Sequence, residues 1–104
     1  MYVCTSWKAR PLTAEQSDRL REIWLKAEAD AAANPIYERL CWFVFADGSG
    51  GFQVIKTDNL DETAEFGLEI TLALAEFLEF DTKIVLDLDS AMPAILNAAE
   101  RSKA

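Results

Sequence analysis

Residues 38–57, with the sequence ERLCWFVFADGSGGFQVIKT, decide the fold because they encode two strands and the turn between them. Residues 38–46 predict the second strand of the chain, and the run Leu40–Phe45 within it is apolar on both faces. Asp47–Gly51 supplies the glycines that a hairpin turn needs for positive φ values. Residues 52–57 then predict the third strand, paired antiparallel with the second.

A strand and a helix precede this hairpin. Residues 2–7 predict the first strand. Thr13 and Gln16, three residues apart, predict a capping box at the start of the first helix, and Asn34-Pro35 ends that helix. Five apolar residues of the helix share one face by their spacing: Leu20, Ile23, Trp24, Ala27 and Ala31. The first helix is therefore expected to bury one face.

Two apolar stripes mark the second helix, which is predicted over residues 62–78. Its N-cap is either Asn59, together with Glu62, or Asp61. The first stripe comprises Ala64, Leu68, Thr71, Leu72 and Ala75. The second stripe comprises Phe66, Ile70, Leu74 and Phe77. A helix that packs on a single sheet needs one stripe, so the other predicts contact with a further protein surface.

A fourth strand is predicted over residues 82–88, and a last helix follows, capped by Asp89 or Ser90 with Pro93 in its first turn. The resulting β-α-β-β-α-β order is the ferredoxin-like arrangement, which is an α+β fold with an antiparallel sheet. Right-handed crossovers place the strands in the order 4-1-3-2, with both long helices on one face and the C-terminal helix appended. We expect residues 1–104 to form a single domain of this kind.

The other face of this sheet is expected to lack cover from the same chain. The second strand lies at an edge and carries large apolar groups on both faces, and such an edge aggregates unless something covers it. A second copy of the chain, packed sheet against sheet, is the simplest cover. We therefore expect a homodimer.

The charge of the chain disfavours several classes of function. Its 104 residues include 18 acidic residues, 10 basic residues and no histidine, which gives a net charge of −8. Such a surface repels phosphate backbones and anionic lipids, so we expect neither a nucleic-acid nor a membrane partner. Without histidine the chain lacks the commonest general base, the commonest metal ligand and every Ser–His or Cys–His nucleophile pair. We expect no metal and no cofactor.

Apolar runs are short and cysteines are few. The run Leu40–Ala46 is too short to span a bilayer, and residues 1–7 lack the basic leader and apolar stretch of a signal peptide. We therefore expect a soluble, cytoplasmic protein. Cys4 and Cys41 lie on strands separated by a third strand, roughly 9–10 Å apart, which is beyond the ~7 Å limit for a disulfide. Both are expected to be reduced and buried.

Polar and aromatic groups on the predicted strands indicate a small-molecule site. We expect a partly polar cavity between the sheets of two subunits, holding a small, partly apolar ligand. The candidate lining residues are Cys4, Ser6, Trp7, Trp42, Gln53 and Asp87. No residue set identifies catalysis. A carboxylate such as Asp87 with a raised pKa would be the best candidate for an acid or base.

A second interpretation stays open from the same residues. Their side chains would then be ordinary packing and interface hydrogen bonds, and the interior of the dimer would be solid. In that case the protein would be a structural or regulatory homodimer without catalysis. It would dock a protein partner through the second helix.

Several short stretches are shared with a known family: Trp7, Arg19–Trp24, Gly50–Phe52, Thr57–Asn59, and Leu78–Phe80 with Val85–Asp87. On these residues, most of 1–88 resembles the domain of unknown function numbered thirty-three-oh-three. That family is similar to the ferredoxin-like dimeric α/β-barrel superfamily, which implies this fold and dimerisation but brings no catalytic residues. Enzymes and haem-binding members of the superfamily, among them antibiotic-biosynthesis monooxygenases, often use a histidine or an Asn/Trp pair. The lack of histidine here argues against a haem- or histidine-dependent activity.

Overall fold

The computed structural model describes residues 1–103. Within them, four strands and three helices follow one another in the predicted β-α-β-β-α-β order, with a last helix appended. Their bounds are β1 Tyr2–Ala9, α1 Ala14–Ala33, β2 Glu38–Val44, β3 Gly50–Lys56, α2 Leu60–Leu74, β4 Leu78–Val85 and α3 Leu88–Ser102. The chain therefore has the predicted α+β fold.

The four strands form one antiparallel sheet in the order β2-β3-β1-β4. Read from the β4 edge, this order is 4-1-3-2. Because successive side chains of a strand point to opposite faces, Val3, Thr5 and Trp7 of β1 point toward α1 and α2. Cys4 and Ser6 point to the opposite face, which we call the open face because no helix of residues 1–103 packs on it.

Local signals cap α1 and α2 at predicted residues. The Gln16 backbone N–H donates to Thr13 Oγ1 at 3.1 Å, and the Thr13 N–H donates to Gln16 Oε1 at 2.9 Å, which completes the capping box. At α2 the cap is Asn59, whose Oδ1 accepts from the Glu62 N–H at 3.1 Å. Gly48 supplies the positive φ, 75°, in the hairpin turn.

Hydrophobic packing is concentrated at one end of the sheet. Trp7, Leu74, Phe77 and Leu78 form the buried core there. Every residue of the predicted α1 stripe is partly buried, as expected. Gly51 lies opposite Trp7 in the β1–β3 register, and a Cβ at this position would come within 2.6 Å of the indole. Glycine at this position therefore lets Trp7 lie across β3.

Several predicted boundaries are wrong. The fourth strand covers residues 78–85 instead of 82–88, because Leu78 already pairs with Ala9 in the ladder with β1. The second helix covers residues 60–74 instead of 62–78, because the same ladder takes up Leu78. The N-cap of α3 is Asp87 instead of Asp89 or Ser90, since its Oδ1 accepts the Ser90 N–H at 2.7 Å.

The two cysteines lie on either side of β3. Cys4 and Cys41 both pair with Val54, so one strand separates them, and both are free thiols. The prediction that they are not bridged is confirmed. The prediction that they are buried is wrong: both are only half-buried, because their side chains point to the open face.

Candidate functional site

A cavity of about 580 Å³ lies between the sheet and helices α1 and α2. All four strands and both helices contribute to its lining, and most of the lining is apolar. Small-molecule sites typically have volumes of roughly 300–1,000 Å³ and are mostly apolar. The cavity is therefore of a size and character suited to a small ligand.

Small residues on the helices leave this space unfilled. Ala27 of α1 and Ala64 and Gly67 of α2 line the cavity where larger side chains would have filled it. A Cβ at Gly67 would meet no heavy atom within 4 Å. The core residues Trp7 and Leu74 close the cavity at the end nearest the buried core. The cavity thus follows from side-chain size along helices whose distance from the sheet is set by the core.

Three indoles from three different elements form an aromatic wall. Trp7 of β1 meets Trp24 of α1 edge to face, with ring centres 5.7 Å apart. Trp24 in turn stacks on Trp42 of β2 at 5.5 Å with an interplanar angle of 18°. Both arrangements are favoured by the ring quadrupoles. The three indoles therefore form one continuous aromatic side of the cavity.

One polar cluster breaks the apolar lining. The Arg39 guanidinium lies over the Trp42 ring, 4.1 Å from its centre. Its Nη1 and Nη2 donate to the two carboxylate oxygens of Glu28 at 3.1 and 2.8 Å, and its Nε donates to Gln53 Oε1 at 3.1 Å. Such a bidentate pair fixes geometry as well as charge. Arg39 therefore holds both Glu28 and Gln53 in place at the cavity wall.

The charges of this cluster offset each other. The hydrogen bond with Glu28 raises the pKa of Arg39, so the guanidinium stays charged at any ordinary pH. Tyr37 also lines the cavity near Arg39. Burial raises the pKa of Tyr37, and this effect outweighs the opposing effect of Arg39. The Tyr37 hydroxyl is therefore neutral and can donate a hydrogen bond. The cluster presents polar hydrogen-bonding groups with no net charge.

Threonines supply two further polar positions. The Thr5 and Thr82 hydroxyls lie 3.3 Å apart on neighbouring strands, and both residues line the cavity. Thr63 also lines it, but its hydroxyl shares a buried hydrogen bond of 2.7 Å with Thr57. That bond ties the start of α2 to the end of β3. Thr5 and Thr82 are the more accessible pair for a ligand.

The residues predicted for the site are divided between two faces of the sheet. Trp7, Trp42 and Gln53 line the cavity together. The expectation that Trp7 and Trp42 face a space between two sheets is wrong, because their register positions opposite Gly51 and Gln53 point them toward the helices. Cys4 and Ser6 lie on the open face, away from the cavity, and the Ser6 hydroxyl donates to the Asp81 carbonyl at 3.4 Å.

Asp87 lies outside the cavity and serves a different purpose. Its carboxylate is fully exposed and caps α3. The hydrogen bonds from Ser90 lower its pKa, which is the opposite of the raised pKa that a general acid would need. The interpretation of Asp87 as an acid/base candidate is therefore wrong. Within residues 1–103, no three histidine, cysteine or acidic side chains are grouped in a way that could hold a metal ion.

The sequence-based prediction missed Glu28, Arg39 and Tyr37. Glu28 lies one turn after Trp24, and that spacing was a usable signal for its position beside the aromatic wall. Arg39 was harder to place, because strict alternation puts it on the face opposite Trp42. The register shift between Arg39 and Cys41 brings both to the same face.

Several solved structures share this fold. A proposed antibiotic biosynthesis monooxygenase from Nitrosomonas europaea is 12% identical with a TM-score of 0.53, over 83% of this chain and 99% of that one. SnoaB, a cofactor-independent oxygenase from Streptomyces nogalater, is 11% identical with a TM-score of 0.54, over 83% of this chain and 92% of that one. A proposed antibiotic biosynthesis monooxygenase from Deinococcus radiodurans is 15% identical with a TM-score of 0.50, over 84% of this chain and 94% of that one.

These similarities show the fold alone. The chain shares its ferredoxin-like fold, a four-stranded antiparallel sheet with α1 and α2 on one face, with these proteins. No protein-family model and no curated protein matches it, so the narrower resemblance to the family numbered thirty-three-oh-three has no such support. No helix within residues 1–103 has the length and hydropathy needed to cross a bilayer.

Proposed function

We propose that this protein binds a small, partly apolar molecule in the cavity between its sheet and helices α1 and α2. The observation that carries the proposal is the Arg39–Glu28–Gln53 cluster, held against Trp42 at the wall of an otherwise apolar cavity. A few fixed polar groups in an apolar cleft orient a ligand while its apolar part supplies the burial. The solved structures of similar fold include one described as an oxygenase, which supports a site for an organic ligand.

The chemistry of the lining favours an uncharged ligand. Arg39 already pairs with Glu28, so an anionic group would have to displace a bidentate carboxylate. A neutral carbonyl or hydroxyl can instead accept from the free N–H groups of Arg39 or from the Gln53 amide. The apolar remainder would contact Phe66, Ile70 and Phe80, which line the same space.

We also propose that the protein is a homodimer that covers the open face. Phe43, Phe45 and Phe52 form an aromatic cluster there, with ring centres 5.6 and 6.3 Å apart. Phe43 is 58% exposed, and exposed apolar patches of this kind mark interaction surfaces. In this arrangement the ligand cavity lies within each subunit instead of between the two sheets.

A second candidate function is docking of a protein partner through α2. Leu68 and Leu72 are 59% and 69% exposed on that helix. Both lie outside the buried core, and Leu72, unlike Leu68, does not line the cavity, so a partner could bury Leu72 without entering the cavity. This function needs no ligand in the cavity, which makes the two candidates separable.

A neutral fluorescent ketone tests the cavity. Prodan, a naphthalene that carries one carbonyl, should bind the purified protein, and its emission should shift to the blue. Gly67→Leu fills the cavity where a Cβ has free space, and it should weaken Prodan binding at least tenfold, about 1.4 kcal/mol. The matched control is Ala73→Leu, which adds the same side chain at an exposed position of α2.

The titration has clear outcomes. Loss of binding in Gly67→Leu with retention in Ala73→Leu supports the cavity as the site. Equal binding by both variants, or no binding by the unmodified protein, contradicts it. Native mass spectrometry of freshly purified protein provides an independent measurement, because it reports a retained small molecule and the subunit number together. A chain that retains no ligand and does not bind Prodan favours docking through α2.

A further inference from the structure

The last helix presents an apolar stripe that the rest of the described chain leaves exposed. None of the α3 residues is buried, and Leu88, Ile95 and Leu96 are 69%, 51% and 58% exposed. The radius of gyration is 16.9 Å, whereas a compact chain of this length has roughly 13 Å. The longest dimension is 59 Å. α3 therefore extends from the body of the protein instead of packing onto it.

The spacing of the stripe is that of a helix built to pair with another helix. Leu88, Met92, Ile95 and Ala99 follow one another at intervals of four, three and four residues. These intervals place them at alternating d and a positions of a heptad repeat, whose side chains interlock across two helices. We infer that α3 packs against α3 of a second copy of this chain, in antiparallel orientation.

The charges beside the stripe select the antiparallel orientation. The e positions are Asp89, Leu96 and Lys103. In an antiparallel pair related by a two-fold axis perpendicular to the helices, the e positions of one helix lie beside the e positions of the other. Leu96 then contacts Leu96 of the partner subunit, and Asp89 lies beside Lys103 of the partner subunit. In a parallel pair the e positions would lie beside the g positions, which are Ala91 and Ala98. Neither Asp89 nor Lys103 would then have a charged partner.

Other electrostatic features agree with this orientation. Asp89 lies in the first turn of α3 and Arg101 in the last, and antiparallel helices place opposite ends of their dipoles side by side. Lys103 lies 3.4 Å from Glu100 of its own helix, but both side chains are about three-quarters exposed. An exposed pair of this kind contributes little, so Lys103 is available to the partner helix.

The area of the contact shows how it fits into an assembly. A large aliphatic side chain removes roughly 100 Å² from water when it is buried. Four large side chains of each copy, Leu88, Met92 and Ile95 of the stripe together with Leu96 beside it, therefore bury at most ~800 Å² in all, about half of the ~1,600 Å² of a standard interface. The open face has to supply the remainder. The strength of the contact thus rests on the proposed homodimer, but not on the ligand proposed for the cavity.

Disulfide trapping tests the helix pair. In a Cys4→Ala, Cys41→Ala background, Leu96→Cys should form a reducible covalent dimer within minutes of mild oxidation at micromolar concentration. Asn97→Cys, one position along on the outer side of the pair, is the matched control and should stay monomeric on a non-reducing gel. Equal trapping of both variants, or trapping of neither, would overturn the inference.

Charge reversal tests the orientation. Asp89→Lys and Lys103→Asp should each slow trapping of Leu96→Cys by at least threefold, and the double reversal should restore it. Failure of the double reversal to restore trapping would contradict the antiparallel pair. Prodan binding, measured on the same variants, should not change because α3 does not line the cavity. If Prodan does not bind, the trapping result still stands. If trapping fails, the proposal of a ligand in the cavity still stands.

Discussion

The guanidinium carbon of Arg39 lies 4.1 Å from the ring centre of Trp42, although the two residues are three positions apart on the same strand. In a regular strand this spacing places side chains on opposite faces. The register shift between Arg39 and Cys41 adds one residue to β2, which turns both side chains toward the cavity. The polar cluster of the proposed site thus depends on a local irregularity of an edge strand.

The ion pair of this cluster should be measurably coupled. We expect a double-mutant cycle with Glu28→Gln and Arg39→Gln to give a coupling energy of about 0.5–1 kcal/mol, because partial exposure screens the charges. Chemical denaturation of the four proteins measures it. The control cycle is Asp18 with Arg21, whose side chains are both 66% exposed compared with 35% and 26% here. A control coupling as large as that of Glu28 and Arg39 would contradict the prediction.

Two glycines should respond in opposite directions to alanine. Gly67→Ala should raise the free energy of unfolding by about 0.5–1 kcal/mol, because the helix gains propensity and the added Cβ meets open space. Gly51→Ala should lower it by about 2 kcal/mol or more, since the Cβ would overlap the Phe43 carbonyl and approach the Trp7 ring. Thermal unfolding of both variants measures the difference. A stable Gly51→Ala protein would contradict the packing of Trp7 across β3.

Acidification should weaken the start of α3. The Ser90 hydrogen bonds lower the folded-state pKa of Asp87 below the ordinary 3.8. A carboxyl whose pKa is depressed on folding stabilises the protein above its unfolded pKa, and that stabilisation is lost as the pH falls through the folded value. Asp87→Asn keeps a capping side chain that does not titrate. The variant should therefore lose less thermal stability than the unmodified protein between pH 6 and pH 3.

A control separates this effect from general acid denaturation. Asp58→Asn removes the same charge from an exposed carboxyl that caps no helix. This variant should follow the pH dependence of the unmodified protein. Indistinguishable pH profiles for Asp87→Asn and Asp58→Asn would show that the cap does not titrate as proposed.

Self-association should depend on the open face. Phe43→Glu places a charge within the aromatic cluster of that face and should raise the dissociation constant of the dimer by at least tenfold. Leu25→Glu, at a residue 63% exposed on α1, is the matched control and should leave it unchanged. Sedimentation velocity over a concentration series measures both. A monomeric unmodified protein, or equal weakening by both variants, would rule out this interface.

Much of the fold could be predicted because its signals are local. The Thr13–Gln16 capping box and the Asp47–Gly51 turn depend on contacts between residues only a few positions apart. The α1 stripe follows from the geometry of a single helix. The start of β4 could not be predicted in the same way, because Leu78 joins the sheet only through its pairing with Ala9, far away in sequence.

The candidate site shows the same division. By itself the sequence determined that Trp7, Trp42 and Gln53 lie on strands and that the second helix has more apolar surface than one sheet can cover. Only the tertiary structure decided that these three residues face the helices, that Glu28 and Arg39 join them, and that Cys4 and Ser6 do not. The physical reason is twofold: alternation along a strand does not say which face the helices will cover, and one added residue in β2 brings Arg39 to the same face as Trp42.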